Sequence, residues 1–162
     1  MFGTAFRQII LWTLVCGLVY PLVITLLAGL LPAPPVRQLV GEDFTRPEYF
    51  WPRPSAASYN SASSSGSNFG PHEPKREQQT SRFPVDAPAD LRYSSGSGLD
   101  PDITPASALY QVSRVATVRH LEASQVEQLV RSKIQGKTFG VLGHERVNVL
   151  DLNLALDHLA TK

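Results

Sequence analysis

The chain has a single cysteine, Cys16, among its 162 residues, so no disulfide can close within it. Charge is missing from residues 8–36, no acidic residue precedes Glu42, and no proline follows Pro105. The signatures of common catalytic sites are missing too. Without G-x-x-x-x-G-K-[ST] there is no loop of the P-loop type to cradle a phosphate. No G-x-S-x-G elbow is present, and no Ser stands three residues before a Lys, which excludes the S-x-x-K nucleophile. Lys137-Thr138 is followed by Phe139 rather than Gly. The four histidines, His72, His120, His144 and His158, are far apart in sequence, and none belongs to H-E-x-x-H, so each reads as a surface or capping residue rather than a metal ligand.

What is present begins with an apolar run over residues 9–31. As a helix these residues span about 34 Å, enough to cross a hydrocarbon core roughly 30 Å thick. Cys16 lies inside this run, which leaves no thiol for the rest of the chain. A cleavable signal peptide is the rival reading, but its apolar region is usually about 7–15 residues long. The run contains no ionisable side chain apart from Cys16 and Tyr20 and no ring of carbonyls, so it conducts nothing alone. Gly17, Thr13, Thr25 and Gly29 offer close approach to neighbouring helices. Pro21 predicts a local kink. All 14 acidic residues and 14 of the 15 basic ones follow the run, so the remainder has a formal charge of zero. Nucleic acid and lipid surface are thereby disfavoured as its main partner. The Lys and Arg counts on the two sides do not settle orientation, whereas a tail of eight residues is easily left inside while the bulk is exported. The expected organisation is a short cytoplasmic tail over 1–8, a transmembrane helix over 9–31 and an extracytoplasmic domain over 32–162.

Proline divides that domain. Twelve of the 13 prolines lie in residues 32–105, among many Ser, Gly and Asn residues, which predicts turns and short extended pieces over 32–104. Phe44, Tyr49, Phe50, Trp51, Tyr59, Phe69, Phe83 and Tyr93 argue against a solvated linker there. Residues 105–162 read as mainly helical. Thr104 and Pro105 open a helix that carries Leu109, Val112 and Ala116 on one face. A capping box from Ser124 to Glu127 predicts a second helix, ending at Gly136. A short strand is expected near 146–150, followed by a helix from about Asp151 that buries Leu152, Ala155, Leu156 and Leu159. The fold class is a single N-terminal transmembrane α-helix plus a small α+β soluble domain with a helical C-terminal half.

Two Ser/Gly segments, Ser64-Ser65-Gly66-Ser67-Asn68-Phe69-Gly70-Pro71 and Ser95-Gly96-Ser97-Gly98-Leu99-Asp100-Pro101, read either as ordinary turns flanking strands or as loops whose exposed N–H groups bind anions or pack closely against a partner. Leu121-Glu122-Ala123-Ser124-Gln125 loosely echoes the L-S-G-G-Q signature of ABC ATPases but lacks both glycines. Ser124 and Gln125 are therefore weak candidates for nucleotide contact.

These segments, taken together, resemble the C subunit of the Kdp potassium-transporting P-type ATPase of bacteria and archaea. The matching words are Val19-Tyr20-Pro21, Tyr49-Phe50-Trp51-Pro52-Arg53-Pro54-Ser55-Ala56, Gly66 to Pro71, and Ser95 to Ile103. Gln111-Val112-Ser113-Arg114-Val115-Ala116 and the closing run Val147 to Asp157 complete them. They occur in family order over nearly the whole chain. Phe69, where the family commonly has Leu, and Asp102, where His is frequent, are small departures.

The resemblance implies a non-catalytic accessory subunit in the bacterial inner membrane. Its implied partners are a channel-like potassium-binding subunit, a P-type ATPase subunit and a small single-helix subunit, besides membrane lipid. ATP and potassium are handled by the complex, with no covalent or metal cofactor on this chain, which has neither D-K-T-G nor a potassium-filter sequence. Family members are described as assisting assembly and as raising the ATP affinity of the ATPase subunit. With the domain outside, such an effect must reach the nucleotide through partner helices. Candidate partner contacts are Pro21, Arg53, Ser55, Tyr59, Ser67, Asn68, Ser97 and Asp100. Replacing Arg53 or Asn68 by Ala is expected to weaken recovery of the complex while leaving the isolated domain folded. The competing readings are an independent membrane-anchored extracytoplasmic hydrolase and a cytoplasm-facing nucleotide-binding accessory domain.

Overall fold

An uncharged apolar run has nothing to interrupt a helix except Pro21, and the backbone records its effect. In the computed structural model, which describes residues 2–31, 39–70, 73–74 and 82–160, helix α1 spans Phe2–Leu14 and α2 spans Tyr20–Gly29. Between them Val15–Val19 forms a π turn, closed by the Tyr20 N–H donating to the Val15 carbonyl five residues back. A proline ring presses on the carbonyl four residues before it and supplies no N–H, so the expected kink takes the form of a widened turn just ahead of Pro21. The apolar helix Gly3–Gly29 has 27 residues, an 18-residue stretch within it has a mean hydropathy of 2.3, and none of its residues is buried. It is about 40 Å long, more than a hydrocarbon core roughly 30 Å thick requires. It begins ahead of the expected residue 9 and runs through Arg7. Cys16 is exposed on it.

The chain divides into two units, Met1–Pro34 and Pro35–Lys162. In the second, residues 39–70 form turns and extended pieces, and the short helix α3, Ala89–Arg92, inserts Leu91 into the core. Strand β1, Asp102–Ile103, pairs antiparallel with β2, Val147–Asn148. The helices are α4, Pro105–Arg119, α5, Ala123–Ser132, and α6, Val149–Ala160.

Local chemistry explains most of these limits. The Thr104 Oγ1 accepts from the Ser107 N–H at 3.2 Å, and Pro105 needs no acceptor at the first helical position. Asp90 of α3 fixes the same corner, accepting from the Thr104 N–H at 2.8 Å and from the Ser107 hydroxyl. Helix α4 ends on His120 in the left-handed region, φ +55°, and the Leu121 N–H returns to the Ala116 carbonyl. Asn148 ends β2 and caps α6, its Oδ1 accepting from the Asp151 N–H at 3.1 Å. Helix α6 therefore starts two residues before Asp151.

The second helix departs from expectation at both ends. Ser124 caps nothing: α5 starts at Ala123, with Glu122 at the capping position and no side-chain cap bond. The tight exit from α4 brings the chain into helical register before Ser124. Glu127 instead receives Arg131 one turn on, at 2.7 Å. The helix stops at Ser132 rather than Gly136, because Gln135 is already paired with Arg146 in an antiparallel bridge.

The core joins Val112, Val115 and Ala116 of α4 to Val126 and Val130 of α5 and Leu152 and Leu156 of α6. Phe50, Phe83, Ala87 and Leu91 come from the proline-rich half. Full burial of a side chain such as Leu152 or Leu156 stabilises by about 1.5–3 kcal/mol. Ala155 and Leu159, expected to be buried, are half-buried.

Candidate docking surfaces

Phe50 and Trp51 lie in an extended stretch with no strand beside them, so their peptide groups need other partners. Two buried amides supply them. Asn153 of α6 accepts from the Phe50 N–H at 2.9 Å and donates to the Phe50 carbonyl at 3.0 Å. Gln111 of α4 does the same for Trp51, at 2.8 and 3.1 Å. Each amide imitates a neighbouring strand, and together they tie residues 50–51 to α4 and α6. Nothing in local periodicity marks these two residues. The available signal was a polar side chain on the apolar face of its helix, Gln111 beside Val112 and Val115, Asn153 beside Leu152 and Leu156.

From this clamp the chain runs into the two Ser/Gly loops, which close on each other. Arg53 Nη1 meets Asp100 Oδ2 at 2.9 Å, and Asp100 Oδ1 accepts from the Asp102 N–H. The Ser55 hydroxyl donates to the Gly98 carbonyl at 2.5 Å and accepts from the N–H groups of Ala57 and Tyr59. The Ser97 carbonyl accepts from the Ser65 N–H at 3.0 Å and from the Ser64 hydroxyl at 2.9 Å. Gly98 has φ +68°, and a Cβ there would lie 2.6 Å from the Ser65 carbonyl oxygen, so only glycine fits this crossing.

Of the eight candidate contact residues, the structure thus brings Arg53, Ser55, Tyr59, Ser97 and Asp100 into one platform. The Tyr59 hydroxyl donates to the Arg53 carbonyl. Burial pushes that phenol up, Asp43 adds to the shift and Arg82 opposes it, so Tyr59 stays protonated. Ser67 is half-buried, and Asn68 is exposed with φ +53°. Pro21 belongs to the other unit, exposed at the start of α2. Ser124 and Gln125 are exposed in the first turn of α5. His120 is the left-handed cap of α4, His144 is exposed in the 135–146 segment, His158 lies in the last turn of α6, and His72 lies outside the described residues. Among the described residues no three His, Cys, Asp or Glu side chains gather as a metal site.

A cleft of about 580 Å³ lies beside the clamp. Arg114 and Arg82 pack on the Trp51 indole there, 3.8 and 4.6 Å from its centroid. Arg114 also donates to the Pro47 carbonyl and to Gln111 Oε1. Burial, then the nearby Arg82 charge, lowers its guanidinium to about 10, which leaves it cationic at neutral pH. The Asp102 carboxyl is raised by burial and by Asp100, against the opposing influence of Arg146 and Asn148.

A family model described as K+-transporting ATPase, c chain, matches residues 2–158. A relative from Herpetosiphon aurantiacus, named potassium-transporting ATPase KdpC subunit, is 41% identical over 98% of this chain and 96% of its own length. Relatives of the same name from Methylococcus capsulatus and Burkholderia cenocepacia are 43% and 50% identical, covering 98% and 74% of this chain and 97% and 69% of their own lengths. An apolar helix, a clamped aromatic segment and two interlocked loops thus occur in a sequence matched along almost its full length, and the chain belongs to the family of K+-transporting ATPase c chains, the KdpC subunits.

Proposed function

We propose that the chain is the non-catalytic accessory subunit of an ATP-driven potassium importer, held in the bacterial inner membrane with its N-terminus cytoplasmic and its domain outside. The domain docks on the channel-like subunit, caps its outer mouth and assists assembly with the ATPase subunit and the small single-helix subunit. One observation carries this reading: a 27-residue apolar helix with no buried residue, attached to a separately folded unit. Such a helix needs lipid and neighbouring helices around it, and Gly17 and Gly29 leave open space where another backbone can approach. From outside, the subunit cannot touch cytoplasmic ATP. Its effect on the ATP affinity of the ATPase subunit is a coupling free energy passed through partner helices, on the order of 1–3 kcal/mol.

The sidedness has a direct test. Cys16→Ala removes the only thiol, and Ser61→Cys places a new one at an exposed position of the domain. In intact cells an impermeant thiol reagent should label the Ser61→Cys chain within the complex. Labelling only after lysis would place the domain in the cytoplasm and favour nucleotide contact instead.

A further inference from the structure

Residues 135–146 leave the core as a hairpin. Gln135 and Arg146 exchange backbone bonds at its base, 2.8 and 3.0 Å, and Thr138 and Leu142 exchange them near its tip, 2.9 and 3.0 Å. Phe139, Gly140 and Gly143 have φ of +53°, +76° and +81°. For glycine this is ordinary; for a bulky residue such as Phe139 it is not, so the turn is held by its ladder bonds against that preference. At this tip the exposures are extreme: Phe139 90%, Val141 75% and Leu142 60%. None of the three joins the hydrophobic core. Turn tips normally carry Gly, Asn, Asp or Ser, and a compact group of large apolar side chains on one marks an interaction site.

We propose that this tip is a docking knob that seats in an apolar groove on another subunit of the membrane complex. Three observations favour a protein groove over lipid. The hairpin's charges are mixed, Lys137 and Arg146 against Glu145, and Arg146 faces Asp102 at 3.3 Å. The chain beyond the apolar helix has no net formal charge, whereas lipid-binding elements carry a surplus of Lys and Arg. The two ladder pairs also fix one backbone shape, which lowers the ordering cost of entering a matching groove and which a fluid bilayer does not require. The proposal rests on family membership and not on which partner the domain caps.

The test is a photo-reactive benzoylphenylalanine in place of Phe139, in the full chain co-expressed with its partner subunits. Irradiation should join the chain to another subunit. Phe139→Ser should lower recovery of the assembled complex roughly tenfold, as loss of an interface anchor does, while Phe139→Leu retains most of it. The denaturation midpoint of the Phe139→Ser chain alone should be unchanged. Crosslinks to lipid alone, absence of any crosslink, wild-type recovery of Phe139→Ser, or a lowered midpoint would each overturn the proposal.

Discussion

Two short irregular segments treat their side chains in opposite ways. Around Phe50 and Trp51 the backbone has no strand partner, yet the Phe50 and Trp51 peptide groups are met by buried amides from helices far away in sequence. In the 135–146 hairpin the backbone pairs with itself, while Phe139, Val141 and Leu142 face outward. The difference is instructive for a subunit family. The words that first marked the family, among them Phe50-Trp51, Gln111 and Asn153, here hold the domain together. The outward-facing apolar residues belong to a stretch that no motif marked.

That contrast can be broken most severely at Asn153. Asn153→Ala leaves a buried N–H and C=O of Phe50 without partners, and each unsatisfied group costs about 1–3 kcal/mol. A loss of about 3 kcal/mol is expected in denaturant unfolding of the full chain in detergent. A change below about 1 kcal/mol would mean that water or backbone rearrangement replaces the clamp easily.

A smaller effect is expected at the loop crossing. Arg53 and Asp100 are both partly exposed, so Arg53→Ala should cost about 1 kcal/mol. Comparing that loss with the recovery of the complex sharpens the contrast. Equal losses would make Arg53 an internal strap; a recovery loss several times larger would make it a partner contact as well.

The smallest effect concerns pH. The Asp102 carboxyl is raised in the folded chain, so the folded state holds this proton more tightly than the unfolded one. The stability this adds is fully present below the unfolded carboxylate value and is lost as pH rises through the folded one. Asp102→Asn should therefore flatten the stability profile just above the ordinary carboxylate value of 3.8. At neutral pH relief of desolvation offsets loss of the half-exposed Arg146 pair, and the net change should be within about 0.5 kcal/mol. An unaltered profile between pH 3 and 6 would contradict the burial of this carboxyl.

The parts of the fold legible in sequence were those set by neighbours along the chain. The existence of an N-terminal apolar helix needed only length and hydropathy, though it spans Phe2 to Gly29 rather than 9–31. Thr104 and Pro105 needed only cap chemistry, and Leu152 and Leu156 only helical spacing. The Ser124 capping box failed because His120, an αL residue that is not glycine, set the start of the next helix first. The clamp was invisible because its partners are 103 and 60 residues apart, and an amide on an apolar helix face does not announce what it bonds. The hairpin was hidden by its own composition: Phe139 in a left-handed turn contradicts ordinary turn chemistry.

The most direct measurement puts Asn153→Ala and Phe139→Ser side by side in the full chain, reading the denaturation midpoint of the chain and the recovery of the complex for each. Inward clamp and outward knob predict a lowered midpoint for Asn153→Ala, and an unchanged midpoint with roughly tenfold lower recovery for Phe139→Ser. A Phe139→Ser chain that unfolds early, or that assembles as well as the unaltered one, would contradict this division.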